Sequence, residues 1–379
     1  MTDQPTARPT LQPTLRPSAR PAGPLARRTP LLIDCDTGID DSLALLYACA
    51  SEDAEIVAVT CSYGNVTLDD VARNTRAVLE LAGRPDIEVA LGRAAPLVRP
   101  LEITPETHGP DGIGYAELPR PSRALSPRAG PDLIVEEARR RPGELTLVTL
   151  GPLTNLAVAL QREPELPRLL RRLVVMGGAF RVPGNTTPTA EWNIHCDPEA
   201  AGLVFDAFAP PTTGQAPQRP LVLGLDVTEQ ARIVPADVVA LARRAGSSPD
   251  DGLAIERGED PHHATRSAAS NPVVRFIADA LRFYMEFHDR YDGFYGAFIH
   301  DLLALAAALD PGLVRTQAVA VRVDAAGGPA DGLTVADWRR LTGRPANLDV
   351  ALEADATAFL ERFIERVGGL AERRANVAL

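Results

Sequence analysis

The chain contains no lysine: all 39 of its basic residues are arginine. That absence excludes a phosphate-loop lysine, a Schiff-base lysine and a pyridoxal phosphate attachment, and several enzyme classes with them. Cysteine is scarce as well. Cys35, Cys49, Cys61 and Cys196 show no CxxC spacing, so they read as buried, reduced thiols of a cytoplasmic protein. No apolar run approaches the length of a membrane span, and no membrane association is expected. A basic excess is also lacking. The net charge is −11 and the acids are dispersed, which argues against a nucleic-acid partner.

What is present is enough to build a large core. The 379 residues, 45% of them hydrophobic, suffice for one large α/β domain or two smaller ones. Residues 1–29 are rich in Pro, Thr and Arg, with no apolar segment of the kind a signal peptide needs, and read as a disordered arm. Residues 30–379 show neither an internal repeat nor a strong linker and read as one domain.

The stretch Thr29 to Leu46, TPLLIDCDTGIDDSLALL, organises that domain. The apolar run Leu31-Leu32-Ile33 leads into four acids, Asp34, Asp36, Asp40 and Asp41, parted by Thr37-Gly38. The pattern predicts a buried strand ending at Asp36, a tight turn, and a helix opening near Asp40. Alternation along the strand puts Asp34 and Asp36 on one side and Cys35 on the other. An acid at a helix start is ordinarily a cap or a complement to the helix dipole. Capping uses one acid or two and leaves the pair on the incoming strand unexplained. Like charges this close need a cation or strong donors, and an all-carboxylate set suits Mg²⁺ or Ca²⁺ better than zinc.

Strand and helix patterns then alternate. Strands are expected over 55–63, 88–91, 144–150, 172–178, 221–227, 316–323 and 347–352; helices over 68–82, 131–141, 198–208, 272–290, 300–309 and 355–367. This rhythm predicts an open, mostly parallel sheet flanked by helices on both faces. Residues 246–270 are polar and irregular and read as a mobile segment. The glycine-laden Thr107 to Gly114 is placed to cover a pocket.

Four other places carry chemistry. Asn65 follows a strand and Gly64, where its amide can enter the crevice at the strand ends, although an Asn there is ordinarily a turn residue. Leu150 ends an apolar strand before Gly151-Pro152, leaving a carbonyl that can serve as an oxygen ligand. The segment 185–197, NTTPTAEWNIHCD, brings Asn185, Glu191 and Asn193, groups suited to sugar hydroxyls, beside Trp192. Finally, His300-Asp301 opens a helix rich in Ala and Leu, a candidate proton donor beside a candidate metal ligand.

Taken together, these pieces resemble the inosine–uridine-type nucleoside hydrolase family. The likeness rests on Asp34-Cys35-Asp36-Thr37-Gly38-Ile39-Asp40-Asp41, Tyr63-Gly64-Asn65, Gly151 to Asn155, Met176-Gly177-Gly178, Glu191-Trp192-Asn193, Asp197 to Ala200 and His300-Asp301. It implies hydrolysis of the N-glycosidic bond of ribonucleosides to ribose and free base, a tightly bound Ca²⁺, and a homodimer or homotetramer. By matching position, Asp36, Asp41, Asp301 and the Leu150 carbonyl would hold Ca²⁺, with Asp36 also the general base that activates a water. Asp40, Asn65, Asn185, Glu191 and Asn193 would grip the ribose, with the Met176 backbone close by; His300 would serve the leaving base and His108 would cover it. Thr37 and Leu302 stand where the family commonly has proline, and the extensions at 210–219 and 247–269 bear on base specificity. Two other readings compete. In a haloacid-dehalogenase-like phosphatase, Asp34 would be the nucleophile and Asp36 the acid/base, with Mg²⁺. A non-catalytic nucleoside- or ribose-binding protein would hold its ligand unchanged.

Overall fold

The computed structural model describes residues 28–248, 252–257 and 266–375. The expected arm lies outside them except for Arg28 and Thr29, and Thr29 already belongs to the first strand. Much of the segment expected to be mobile, 249–251 and 258–265, lies outside them too.

Eight strands form the central sheet: β1 (Thr29–Cys35), β2 (Ala54–Cys61), β3 (Val89–Leu91), β4 (Thr146–Thr149), β5 (Arg172–Met176), β6 (Leu221–Leu223), β7 (Val314–Val319) and β8 (Leu348–Ala354). Their order across the sheet is β3-β2-β1-β4-β5-β6-β8-β7, and every pairing is parallel except β8 with β7. The mostly parallel α/β architecture expected from the sequence is therefore the one observed.

Strands buried on both faces explain why β1, β4 and β5 are apolar almost throughout. Alternation divides each between two cores. Leu31, Ile33, Val148 and Val174 face one layer, built on helices Ile39–Ala50, Leu68–Leu81, Pro272–Tyr291, His300–Leu309 and Ala356–Arg374. Leu32, Leu147, Leu173 and Val175 face the other, built on Gly130–Arg140, Thr154–Arg162 and Pro198–Ala207. Helix Ile39–Ala50 is buried at every position but Cys49, because the sheet and neighbouring helices enclose it.

Several local expectations change. The first strand ends at Cys35, one residue early, because Asp36 turns to take the amide of Asn65. The expected strand 221–227 stops at Leu223; Gly224 then opens a single helical turn, Leu225–Thr228. The expected strand 316–323 divides, with Val321–Val323 pairing instead with Thr334–Ala336. There the side chain of Asn347 takes the Val321 amide and donates to its carbonyl. Helices Pro235–Arg244 and Trp192–Cys196 were not foreseen, and the last helix runs to Arg374.

The topology fixes where function belongs. From β1 the sheet grows to β2 and β3 on one side and to β4, β5 and β6 on the other. The carboxyl ends of β1 and β4 thus flank a point where strand order reverses, the crevice in which open α/β sheets bind ligands.

Candidate active site

Asp36 follows β1 directly, and Leu150 follows β4. Above them lies a cavity of about 580 Å³, within the range of small-molecule sites. Its wall includes Asp40, Asn65, His108, Leu150 and Met176. Asn185, Glu191, Asn193, His300 and Asp301 line it as well, which leaves Asp36 and Asp41 as the expected site residues that do not. These two lie behind the wall, almost wholly buried, each hydrogen-bonded to the lining residue Asn65. Asp34 stands apart. It is fully buried, its Oδ1 accepting from the Thr60 hydroxyl at 2.5 Å and from Asn155 Nδ2 at 2.8 Å.

The acids converge from three elements. Carboxylate oxygens of Asp40, Asp41 and Asp301 all lie within 4.8 Å of one another. Asp41 Oδ2 accepts from the Gly38 amide at 2.8 Å and from Asn65 Nδ2 at 3.1 Å; Asp40 Oδ2 accepts from the Asp301 amide at 3.3 Å. Asp36 Oδ2 accepts from the Asn65 amide at 2.8 Å. Among the described residues, Asp36 Oδ1 and Asp41 Oδ1 are buried without any hydrogen-bond partner. Burial, then the neighbouring Asp41, raises the Asp36 carboxyl well above its ordinary range, and burial with Asp40 does the same to Asp301. Burial, then Asp41, raises Asp40 to about 7. Buried carboxylate oxygens crowded together without donors suit a hard divalent cation, whose charge would relieve both burial and repulsion.

Fixed polar groups surround these acids. Asn193 Nδ2 donates to the Leu150 carbonyl at 2.6 Å and lies 3.3 Å from the Met176 carbonyl. Glu191 caps helix Trp192–Cys196, taking the amides of Asn193, Ile194 and Gly178. Asn185, exposed on the rim, takes the Trp192 amide through Oδ1 at 3.0 Å. His108 closes the one-turn helix Pro105–His108, and its Nδ1 accepts the Ile39 amide at 3.1 Å. His300 Nδ1 lies 2.8 Å from the Thr228 hydroxyl. Burial first, then neighbouring imidazoles, lowers both of these histidines to about 3.

The sequence reading missed one wall. Tyr284, His288 and Asp292 follow one another at intervals of four along and just past helix Pro272–Tyr291, and all three line the cavity. That spacing places them on one helical face, a signal present in the sequence but masked by a helix that otherwise reads as core.

The chain matches, over residues 31–361, the profile of the family described as inosine-uridine preferring nucleoside hydrolase. It is 38% identical over 339 residues to the pyrimidine-specific ribonucleoside hydrolase RihA of Salmonella schwarzengrund (strain CVM19633), covering 89% of this chain and 98% of that protein. Among solved structures it resembles a purine-preferring ribonucleoside hydrolase from Gardnerella vaginalis, with a TM-score of 0.78, 31% identity, and coverage of 91% and 100%. It also resembles the plant nucleoside hydrolase PpNRh1, with a TM-score of 0.75, 31% identity, and coverage of 89% and 98%. A parallel sheet, acids gathered at its switch point and a match over nearly all the described chain lead to one assignment: the protein belongs to the inosine-uridine preferring nucleoside hydrolase family, enzymes of the N-glycosidase class.

Proposed function

We propose that the protein hydrolyses the bond between C1′ and the base nitrogen of ribonucleosides, releasing ribose and free base. The observation that supports this reading is the gathering of Asp40, Asp41 and Asp301 within 4.8 Å of one another beside one cavity, with Asp36 near enough for its charge to act on Asp301 and to feel that of Asp41. Asp36, Asp41, Asp301 and the Leu150 carbonyl are the residues that would hold Ca²⁺, an all-oxygen set with two unpartnered carboxylate oxygens. When bound there, the ion supplies a positive seat for water and for ribose hydroxyls and makes that water more acidic.

The protein's own groups do the rest. Asp36 is the general base, since its Oδ1 has no partner to give up when it takes a proton from water. Rupture of the C1′–N bond builds positive charge on the sugar. Asp40 and the buried acids around it stabilise that charge in a site that excludes water. Asn65, Glu191 and Asn193 hold the ribose, each kept in place by a backbone or side-chain hydrogen bond, and Asn185 does so from the rim. The Met176 backbone lies against the sugar. His300, its Nδ1 fixed by Thr228, bears on the leaving base, and His108 covers it.

The 38% identity to a pyrimidine-specific enzyme, against 31% to a purine-preferring one, supports placing pyrimidine ribonucleosides first. The phosphatase reading has less support: Asp34, its required nucleophile, is sealed against Thr60 and Asn155 with no exposed surface. The test is release of free base from a panel of purine and pyrimidine ribonucleosides, with and without a chelator. Metal-dependent release is expected. Stable binding with no base released over hours would instead identify a binder.

A further inference from the structure

The cavity wall holds a second imidazole set up for proton transfer. His288 is 4% exposed, and its Nδ1 lies 2.7 Å from Asp292 Oδ2. Its other ring nitrogen, Nε2, is buried with no hydrogen-bond partner among the described residues. A carboxylate at Nδ1 keeps a proton there and orients the ring, which leaves Nε2 as the nitrogen that gives and takes a proton. A buried, unpartnered ring nitrogen is costly unless something occasionally pairs with it.

The surroundings fit that role. Tyr284, Phe287, Phe294 and Phe298 pack their rings within 5.6 Å of the imidazole, fixing it and excluding water. The Asp292 side chain is 42% exposed, so the dyad reaches from the cavity wall to solvent. The charged neighbours beyond these rings are Glu229, which lines the same cavity, and Arg232, whose guanidinium lies over Phe294 and Phe298. His300, by contrast, has a hydroxyl and not a carboxylate at its Nδ1.

We propose that His288, held by Asp292, is the general acid that protonates the departing base, with His300 orienting that base. This rests on the nucleoside hydrolysis proposed above. As the C1′–N bond breaks, its electron pair passes to the base nitrogen. The base takes the proton from His288 Nε2, either there or at another basic atom of its ring system. Water adds to C1′ and its proton leaves through Asp36 to solvent, while His288 Nε2 regains one from water that enters the cavity once the base has left. One water is consumed, and ribose and neutral base are formed.

The experiment compares two leaving groups in wild type, His288→Ala, His288→Gln and Asp292→Asn. Uridine and inosine release bases that need a proton; 4-nitrophenyl β-D-riboside releases a phenolate that does not. Expected for both His288 variants is a loss in kcat of about 100-fold or more on the nucleosides, the usual share of general acid catalysis. Turnover of the nitrophenyl riboside should stay within about threefold of wild type on the same principle. Asp292→Asn should fall between, again on the nucleosides alone. Equal losses on both substrate types, or no loss on either, would overturn the assignment of His288 while leaving nucleoside hydrolysis standing. Wild-type protein that releases no base from any nucleoside would overturn both. Far-ultraviolet circular dichroism and thermal unfolding identify a misfolded variant independently of either substrate; if both His288 variants misfold, the milder Asp292→Asn decides by the same comparison.

Discussion

Nδ1 of His108 accepts the backbone N–H of Ile39 at 3.1 Å, so a ring that lines the cavity is also tied to the first turn of the helix that carries Asp40 and Asp41. The bond requires an unprotonated Nδ1. Burial, then neighbouring imidazoles, lowers its pKa from 6.5 to about 3. A histidine with a depressed folded pKa contributes stability that is present above 6.5 and lost as pH falls towards 3. Wild type should therefore lose about 1.4 kcal/mol per pH unit more than His108→Gln over this interval, or ~2 kcal/mol between pH 6.5 and pH 5. Glutamine can still accept the Ile39 amide; His108→Ala cannot, and should lose about 1–3 kcal/mol at every pH. Denaturant unfolding at pH 7 and pH 5 reads both. Parallel pH profiles for wild type and His108→Gln would contradict the argument.

Two glycines make room for Asp36. A Cβ at Gly64 would lie 2.0 Å from Asp36 Oδ2, and one at Gly151 would lie 2.6 Å from Asp36 Oδ1. Either alanine must push the carboxylate off its position. Gly64→Ala and Gly151→Ala should each lower metal affinity by about 10–100-fold, as loss of support around a ligand does, with a comparable loss of turnover. Gly202→Ala is the control. It lies in helix Pro198–Ala207 with nothing within 4 Å of the added carbon, and should keep full activity while gaining up to ~1 kcal/mol of stability. Normal metal titration curves for the two site variants would mean that Asp36 does not act at the ion.

How far the fold and site were legible depends on whether a residue's task is local. The strand 172–176 and the helix 300–309 declare themselves because burial on both sides leaves only apolar residues after Arg172 and after His300-Asp301. Asp40, Asp41 and Asp301 were readable as an unusual charge expense beside apolar runs, and they do converge. Asp34 stands in the same run of acids but is not among the residues expected at the ion. Its carboxyl is engaged by Thr60 on the next strand and by Asn155, 121 positions away, and no alternation rule contains those partners. The split at Ala320 depends in the same way on the distant Asn347, and His288 was hidden because its partner Asp292 stands just past the end of a helix that reads as core.

Removal of the cation should leave its mark on stability as well as on rate. Among the described residues, Asp36 Oδ1 and Asp41 Oδ1 have no protein donor, so nothing in the fold replaces an ion there. Protein dialysed against a chelator should lose turnover and unfold several degrees lower. Ca²⁺ at 100 times its dissociation constant should restore ~2.7 kcal/mol. Zn²⁺, which prefers nitrogen and sulfur ligands in fewer positions, should restore less. A melting temperature indifferent to chelator and to Ca²⁺ would count against a metal at this site.

Glu191 links two parts of the cavity wall, Asn193 and the Leu150 carbonyl, through one chain of hydrogen bonds. Its Oε1 accepts the Asn193 amide at 2.8 Å, and its Oε2 accepts those of Gly178 and Ile194 at 2.8 and 3.2 Å. Asn193, oriented by that cap, donates Nδ2 to the Leu150 carbonyl at 2.6 Å. Glu191→Gln turns an NH₂ group towards backbone N–H donors and should cost about 1–2 kcal/mol; Glu191→Ala removes the cap and should cost ~2 kcal/mol or more. If Asn193 positions the Leu150 carbonyl for an ion, the damage must extend beyond stability. Both variants should bind Ca²⁺ several-fold more weakly, in the manner of lost support around a ligand, and kcat/KM should fall by at least ~10-fold. Calorimetric titration alongside thermal unfolding separates the two effects. A variant with a lower Tm but wild-type Ca²⁺ affinity would show that the cap supports the helix alone and that the Leu150 carbonyl is placed independently of Asn193.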